Sequence, residues 1–197
     1  MHTLVLCSTA AHRAALLRRL GVPFETARPD FDESGAENLP APEMALTYAV
    51  GKARAVAPRF AGRGALLLAA DQTPEVDGEV LRKASTPAEA RAQLERLAGR
   101  EHALHTATVL LEADTGRFEH VLTTVRLRMR ALSPSQIARY VAADDPVGSA
   151  GGYTLEGLGV ALFEAIEGQD DSAIVGLPLV AVTALLARFG IDPLGSP

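Results

Sequence analysis

Asp71 closes the apolar run Leu66-Leu67-Leu68-Ala69-Ala70 and is followed directly by Gln72. A run of this kind reads as a strand buried on both faces, and such strands present functional side chains where they emerge at their carboxyl ends. A carboxylate in that position requires a partner, so Asp71 is the first candidate for chemistry. A second acidic group, Glu33, stands in "DFDES". Two carboxylates with cations nearby can hold a divalent metal against a triphosphate while one of them activates water. For Glu33 a solvated acidic loop is the plain alternative.

Three cations are candidates to meet such a phosphate chain. Arg13, in "STAAHR", falls in the first turns of a predicted helix, where the positive end of the helix dipole disfavours a cation unless an anion is near. With Ser8 and the free amides of that helix start it suits a phosphate; a solvated surface arginine fits as well. Lys52 lies at the edge of an apolar helical stripe, where snorkelling also accounts for it. Lys83, just past a hairpin, is open between the two readings. Cys7 belongs to the first predicted strand and reads as a buried, inert thiol.

These side chains need elements to position them. Leu4 to Cys7 reads as a strand, with Ser8 or Thr9 capping a helix that carries Leu16, Leu17 and Leu20 and stops at Gly21. Phe24 to Ala27 reads as a strand leading into a polar, proline-rich loop. Pro42 then opens a helix with Leu46, Ala49, Val50, Ala53 and Ala57 on one stripe. Beyond the strand expected to end at Asp71, Asp77-Gly78 suits a tight hairpin turn. Thr86-Pro87-Ala88-Glu89 forms a capping-box pattern opening a helix to about Gly99.

Two β segments follow, "EHALHTATVLLEA" and "FEHVLTTVRLRMR", the second alternating at Val121, Thr123, Val125, Leu127 and Met129. They are expected to pair antiparallel. Ser133-Pro134 opens a helix with Ile137 and Val141. A glycine-rich stretch then precedes the strand "VALFEAI" and a last helix from about Gly176 to Phe189. Helices and strands alternate without a regular βαβ rhythm, which predicts an α/β protein with a mixed sheet.

Composition narrows the function classes. The 197 residues carry a net charge of −5, which argues against broad electrostatic binding to a nucleic acid polymer. No segment is apolar for long enough to span a bilayer, so no membrane partner is expected. The amino terminus shows no cationic leader, and a cytoplasmic location is expected. Neither G-x-x-x-x-G-K-[ST] nor G-x-G-x-x-G occurs, Gly157-Leu158-Gly159 alone is a weak nucleotide signal, and the five His and single Cys show no zinc spacing.

In combination, "LVLCSTAAHRAALLRRLG", "FDES", "GKARAVA", "AADQ", "LRKAS" and "AGGYTLEGLG…VGLPL" resemble, over nearly the whole chain, the Maf family of septum formation proteins, which are nucleoside triphosphate pyrophosphatases. The resemblance implies a mixed twisted sheet flanked by helices, in a Maf-like (anticodon-binding/ITPase-like) architecture with a cleft between two lobes, as one domain over residues 1–197. It implies hydrolysis of the α,β-phosphoanhydride, with Asp71 as proton acceptor and Ser8, Arg13, Lys52 and Lys83 around the phosphates. Glu33 and Asp71 would hold Mg2+ or Mn2+, and a homodimer is expected.

Within the family, Asp71-Gln72 and the Glu156 of "LEGLG" look like the 7-methyl-GTP subgroup; the dTTP/UTP subgroup more usually shows Asp-Thr and Ile-Gln-Gly. Glu156 has a physical rationale, because a carboxylate accepts from both N1-H and N2-H of a guanine edge. His12 stands where that subgroup usually has a base-stacking aromatic, and Gln72 is expected to help read the base beside Asp71. The chain departs from the family at Ala10-Ala11, for Ser-Pro, at Arg82-Lys83-Ala84, for Gly-Lys-Pro, and at Thr106-Ala107, for Thr-Gly. The resemblance thus implies 7-methyl-GTP or another modified guanine nucleotide as substrate, the alternatives being a dTTP/UTP-type pyrophosphatase and a catalytically weak nucleotide-binding regulator of cell division.

Overall fold

The computed structural model describes residues 2–168 and 170–195. Met1, where the amino-terminal reading starts, and residues 196–197, which close the 1–197 range, lie outside them. In chain order the elements are β1 (Thr3–Leu6), α1 (Ala11–Arg18), β2 (Phe24–Thr26), α2 (Ala41–Val56), β3 (Ala65–Val76), β4 (Glu79–Val80), α3 (Pro87–Leu97), β5 (Glu101–Glu112), β6 (Phe118–Met129), α4 (Pro134–Asp144), β7 (Phe163–Glu167) and α5 (Leu179–Arg188). The sheet order is β2-β1-β3-β5-β6-β7, with β4 beside β3. It is mixed: β1 runs parallel to β2 and β3, whereas β3–β4 and β6–β7 are antiparallel.

The chain forms two compact units. The first comprises Met1–Gln72, Thr106–Thr123 and Asp170–Pro197, and the second Thr73–His105 and Thr124–Gln169. In the first unit, period-two alternation along β3 divides its side chains between two cores. Leu67 and Ala69 join Val5 against Ala45, Ala49 and Ala53 of α2. Leu66, Leu68 and Ala70 join Leu17 of α1 and Val182 and Leu185 of α5 on the other face. The strand is thus covered on both faces, which its continuous apolar run requires. In the second unit, Leu94, Leu97, Ile137, Val141 and Met129 form a separate core.

Several local expectations change. The strand does not end at Asp71 but runs on to Val76, so Asp71 lies inside it. Neither Ser8 nor Thr9 caps α1; the cap position is Ala10, with no side-chain bond, and Ser8 Oγ instead accepts from Ala10 N at 3.1 Å. The capping box at Thr86 is half formed: Thr86 accepts from Glu89 N at 3.2 Å, but the Glu89 carboxylate takes the amide of Ser85 rather than that of Thr86. The full box stands at α4, where Ser133 and Gln136 cap each other's backbone amides. The Asp77-Gly78 turn is as expected, both residues having positive φ (51° and 79°).

Candidate functional site

In the first unit, alternation places Asp71 on the same face as Leu67 and Ala69, toward α2. Lys52, one position before the stripe residue Ala53, reaches across to it and donates to Asp71 Oδ1. The same ammonium lies 2.7 Å from Glu33 Oε1. The snorkelling alternative is therefore set aside: the Lys52 side chain is 12% exposed and bridges two carboxylates. Burial pushes the Asp71 carboxyl above its ordinary range, opposed by the cations Lys52 and Arg13, while Glu33 pushes the same way as burial.

The loop bearing Glu33 is anchored on α2. Tyr48 Oη donates to the Glu33 carbonyl at 3.3 Å, and Phe31 packs edge-on to Tyr48 with ring centroids 6.1 Å apart. Phe31 also lies over Gly51, where a Cβ would meet the ring at 2.2 Å. Glycine inside a helix is a recognisable signal of close approach, and here it sits one residue before Lys52.

On the opposite face, Arg13 in the first turn of α1 donates from Nη1 to the Ala70 carbonyl at 3.0 Å. The pairing of β1 with β3 reaches Leu68, whose carbonyl takes Cys7 N at 2.8 Å, so Arg13 binds the strand just past the end of that pairing. Gly176, at φ +83°, leaves room for the guanidinium: a Cβ there would stand 3.2 Å from Arg13 Nη2. The segment supplying Gly176 is fixed by Asp170, which accepts from Ser172 N at 2.9 Å and Val180 N at 2.7 Å, and by Ser172 Oγ, which accepts from Leu179 N at 2.7 Å.

Gln72 follows the same alternation and turns to the face opposite Asp71. Its Nε2 donates to Thr106 Oγ1 and to the Ala173 carbonyl, both at 2.8 Å. Glu33, Lys52 and Asp71 are therefore one ion-paired group, and Arg13 and Gln72 meet the same stretch of β3 from the other face. Ser8 lies buried before α1, and His12 is exposed on its first turn. Cys7 is buried, and its thiol is pushed up to about 12, in keeping with an inert group.

Lys83 and Glu156 belong to the second unit, and both are exposed. Lys83 bridges Ala150 in an isolated antiparallel pair. Glu156 stands on a turn pinned to α4, where Tyr140 Oη accepts from Thr154 N at 3.0 Å and Asp144 accepts from Leu158 N at 3.1 Å. Sequence reasoning gave no role to Phe31, Gly51, Thr106, Ala173 or Gly176. Of these, the glycines carried a local signal, and Thr106 stood only in the Thr106-Ala107 step compared with the family.

Glu33 and Asp71 suit a divalent cation by their donor chemistry, being hard oxygen ligands already drawn to one positive charge. Among the described residues no group of three or more His, Cys, Asp or Glu is placed to hold a metal ion.

The fold and the site define a class first. The Staphylococcus aureus Ham1 protein has a similar structure, with a TM-score of 0.53 over 95% of this chain and 98% of that chain at 15% identity, and the likeness establishes the α/β fold. The model of the Maf-like protein family matches residues 3–189, and the chain belongs to that family. Similar curated proteins are named 7-methyl-GTP pyrophosphatase. That of Aromatoleum aromaticum is 42% identical over 95% of this chain and 96% of its own length. Those of Xanthomonas oryzae pv. oryzae and Xanthomonas campestris pv. campestris are 41% and 42% identical, covering 96% and 98% of this chain and 98% of their own lengths.

Proposed function

We propose that the protein is a nucleoside triphosphate pyrophosphatase that hydrolyses the α,β-phosphoanhydride of 7-methyl-GTP, giving 7-methyl-GMP and pyrophosphate. The single observation that carries the activity is the ion-paired group of Asp71 on β3, Lys52 on α2 and Glu33 on the loop before α2, in a chain about 40% identical to proteins of that name over nearly full length. Asp71 accepts the proton of the attacking water as the new bond to the α-phosphorus forms and the bond to the bridging oxygen breaks. Lys52 holds the Asp71 carboxylate in place and opposes the upward push that burial exerts on it. Arg13 and Lys83 stabilise the charge that develops on the departing pyrophosphate, with Ser8 at the phosphates beside Arg13. Glu33 and Asp71 hold a divalent cation, Mg2+ or Mn2+, which when bound neutralises the phosphate chain.

Guanine recognition is assigned to Glu156, whose carboxylate accepts from N1-H and N2-H, and His12 stacks on the base. The chain acts as one domain over 1–197, as a cytoplasmic homodimer with no nucleic acid or membrane partner. Among the described residues, no helix is long and apolar enough to cross a membrane.

A pyrophosphate-release panel over 7-methyl-GTP, GTP, UTP and dTTP tests the reading. The wild type is expected to prefer 7-methyl-GTP, and Glu156→Gln to lower the ratio of kcat/KM for 7-methyl-GTP over UTP by roughly ten- to a hundredfold, the worth of a lost charge-assisted pair. Preference for UTP or dTTP, or a ratio unmoved in the variant, contradicts the substrate assignment.

A further inference from the structure

We infer that Thr106 is a specificity-positioning residue, locking the Gln72 amide so that it offers the substrate a hydrogen-bond acceptor and no donor. The inference rests on the nucleotide reading of the site, and goes beyond it in saying what Gln72 can and cannot recognise.

A glutamine amide ordinarily presents a carbonyl and an N-H2 side by side, so it pairs with either kind of partner. Here both hydrogens are committed. Nε2 lies 2.8 Å from the Ala173 carbonyl and 2.8 Å from Thr106 Oγ1. The Ala173 carbonyl decides which way the amide faces, because a carbonyl oxygen only accepts, and the atom against it is therefore the nitrogen. Thr106, fully buried on β5, takes the second hydrogen. Only the carbonyl oxygen of Gln72 remains to be offered, from a side chain that is half-buried.

The consequence is discrimination by chemistry. A free amide pairs doubly with the imide edge of uracil or thymine, donating to a carbonyl while accepting from N3-H. An amide locked as an acceptor makes at most the second bond and sets its oxygen against the base carbonyls. The adjacent N1-H and N2-H2 of guanine, by contrast, present two donors side by side to the same oxygen. The lock thus favours an amino-bearing edge and penalises an imide edge.

Thr106→Val removes the hydroxyl and keeps a β-branched side chain of nearly the same shape on the strand. Its expected effect is a five- to tenfold fall, roughly the worth of one neutral hydrogen bond, in the ratio of kcat/KM for 7-methyl-GTP over UTP. Thr106→Ser, which retains the acceptor, should keep the ratio within about twofold of wild type. A second readout is independent of turnover. The side-chain amide pair of Gln72, identified in a 15N-1H spectrum by its absence from Gln72→Ala, should exchange slowly at both protons in the wild type and lose protection at one in Thr106→Val.

Three results overturn the lock: wild-type Gln72 protons exchanging as fast as those of an exposed glutamine, a ratio unchanged in Thr106→Val, or an equal fall in the serine variant. If the wild type itself prefers UTP, the 7-methyl-GTP reading fails, and amide exchange still decides whether the lock exists.

Discussion

At the scale of single residues, polar groups in this protein are placed by the period of the strand that carries them. Asp71 and Gln72 are neighbours in sequence and part to opposite faces of β3, one to Lys52 and the other to Thr106. That Asp71 needed a partner was legible from its place after five apolar residues. That the partner is Lys52 was not, because a lysine at the edge of an apolar stripe has the same pattern whether it snorkels or pairs. His102 shows a different solution to burial. It is 3% exposed, with Nε2 2.7 Å from Tyr153 Oη, and burial pushes its pKa down from 6.5 to about 4 against the pull of Glu101.

The sign of the consequence follows from linkage. As pH falls through about 6.5 the unfolded chain takes up a proton at His102, while the folded chain takes it up only near 4. Stability is therefore lost across that window, by about 3 kcal/mol from this group, and no further below it. Urea unfolding of wild type and His102→Gln at several pH values from about 7 down to about 4 should give stabilities that converge toward acid. Parallel curves would exclude this role for His102.

At the scale of elements, helices and strands with clear periodicity stood where the sequence put them. The α2 stripe, the Asp77-Gly78 turn, the alternation at Val125, Leu127 and Met129, and α4 with Ile137 and Val141 all match. What escaped was the continuation of β3 through Asp71-Gln72-Thr73-Pro74-Glu75, since polar residues and a proline read as a break. Single-turn 3-10 segments at Leu158–Leu162 and Asp171–Val175 escaped as well, having too few residues to show a period.

Element packing also carries a prediction whose sign opposes helix propensity. Gly51→Ala should favour α2 by roughly 1 kcal/mol as an isolated helix. Its new Cβ displaces Phe31, however, and with it the anchor of the loop that brings Glu33 to Lys52. Pyrophosphate release is expected to fall about tenfold or more from that misplacement, with little net change in stability. Phe31→Ala should lose activity similarly, and the double variant should lose little more, since both changes remove one anchor. Additive losses, or a fully active Gly51→Ala, would separate the glycine from the site.

At the scale of the whole molecule, the mixed α/β class followed from irregular alternation of helices and strands, and the family followed from motifs spread along the chain rather than from any one of them. The chain's net charge of −5 gives no general attraction for a polyanion, so a triphosphate must be gripped by a few placed cations. The central claim is that Asp71 is the base for cleavage between the α- and β-phosphates. Asp71→Asn is nearly isosteric and removes the proton acceptor. The direct measurement is the yield of pyrophosphate and 7-methyl-GMP from 7-methyl-GTP with added Mg2+ or Mn2+, in wild type and Asp71→Asn, each checked for folding by circular dichroism. The two products are expected in equal amounts from the wild type, with a loss of at least ~100-fold in the folded variant. An active Asp71→Asn protein, or release of orthophosphate with 7-methyl-GDP instead, would contradict it.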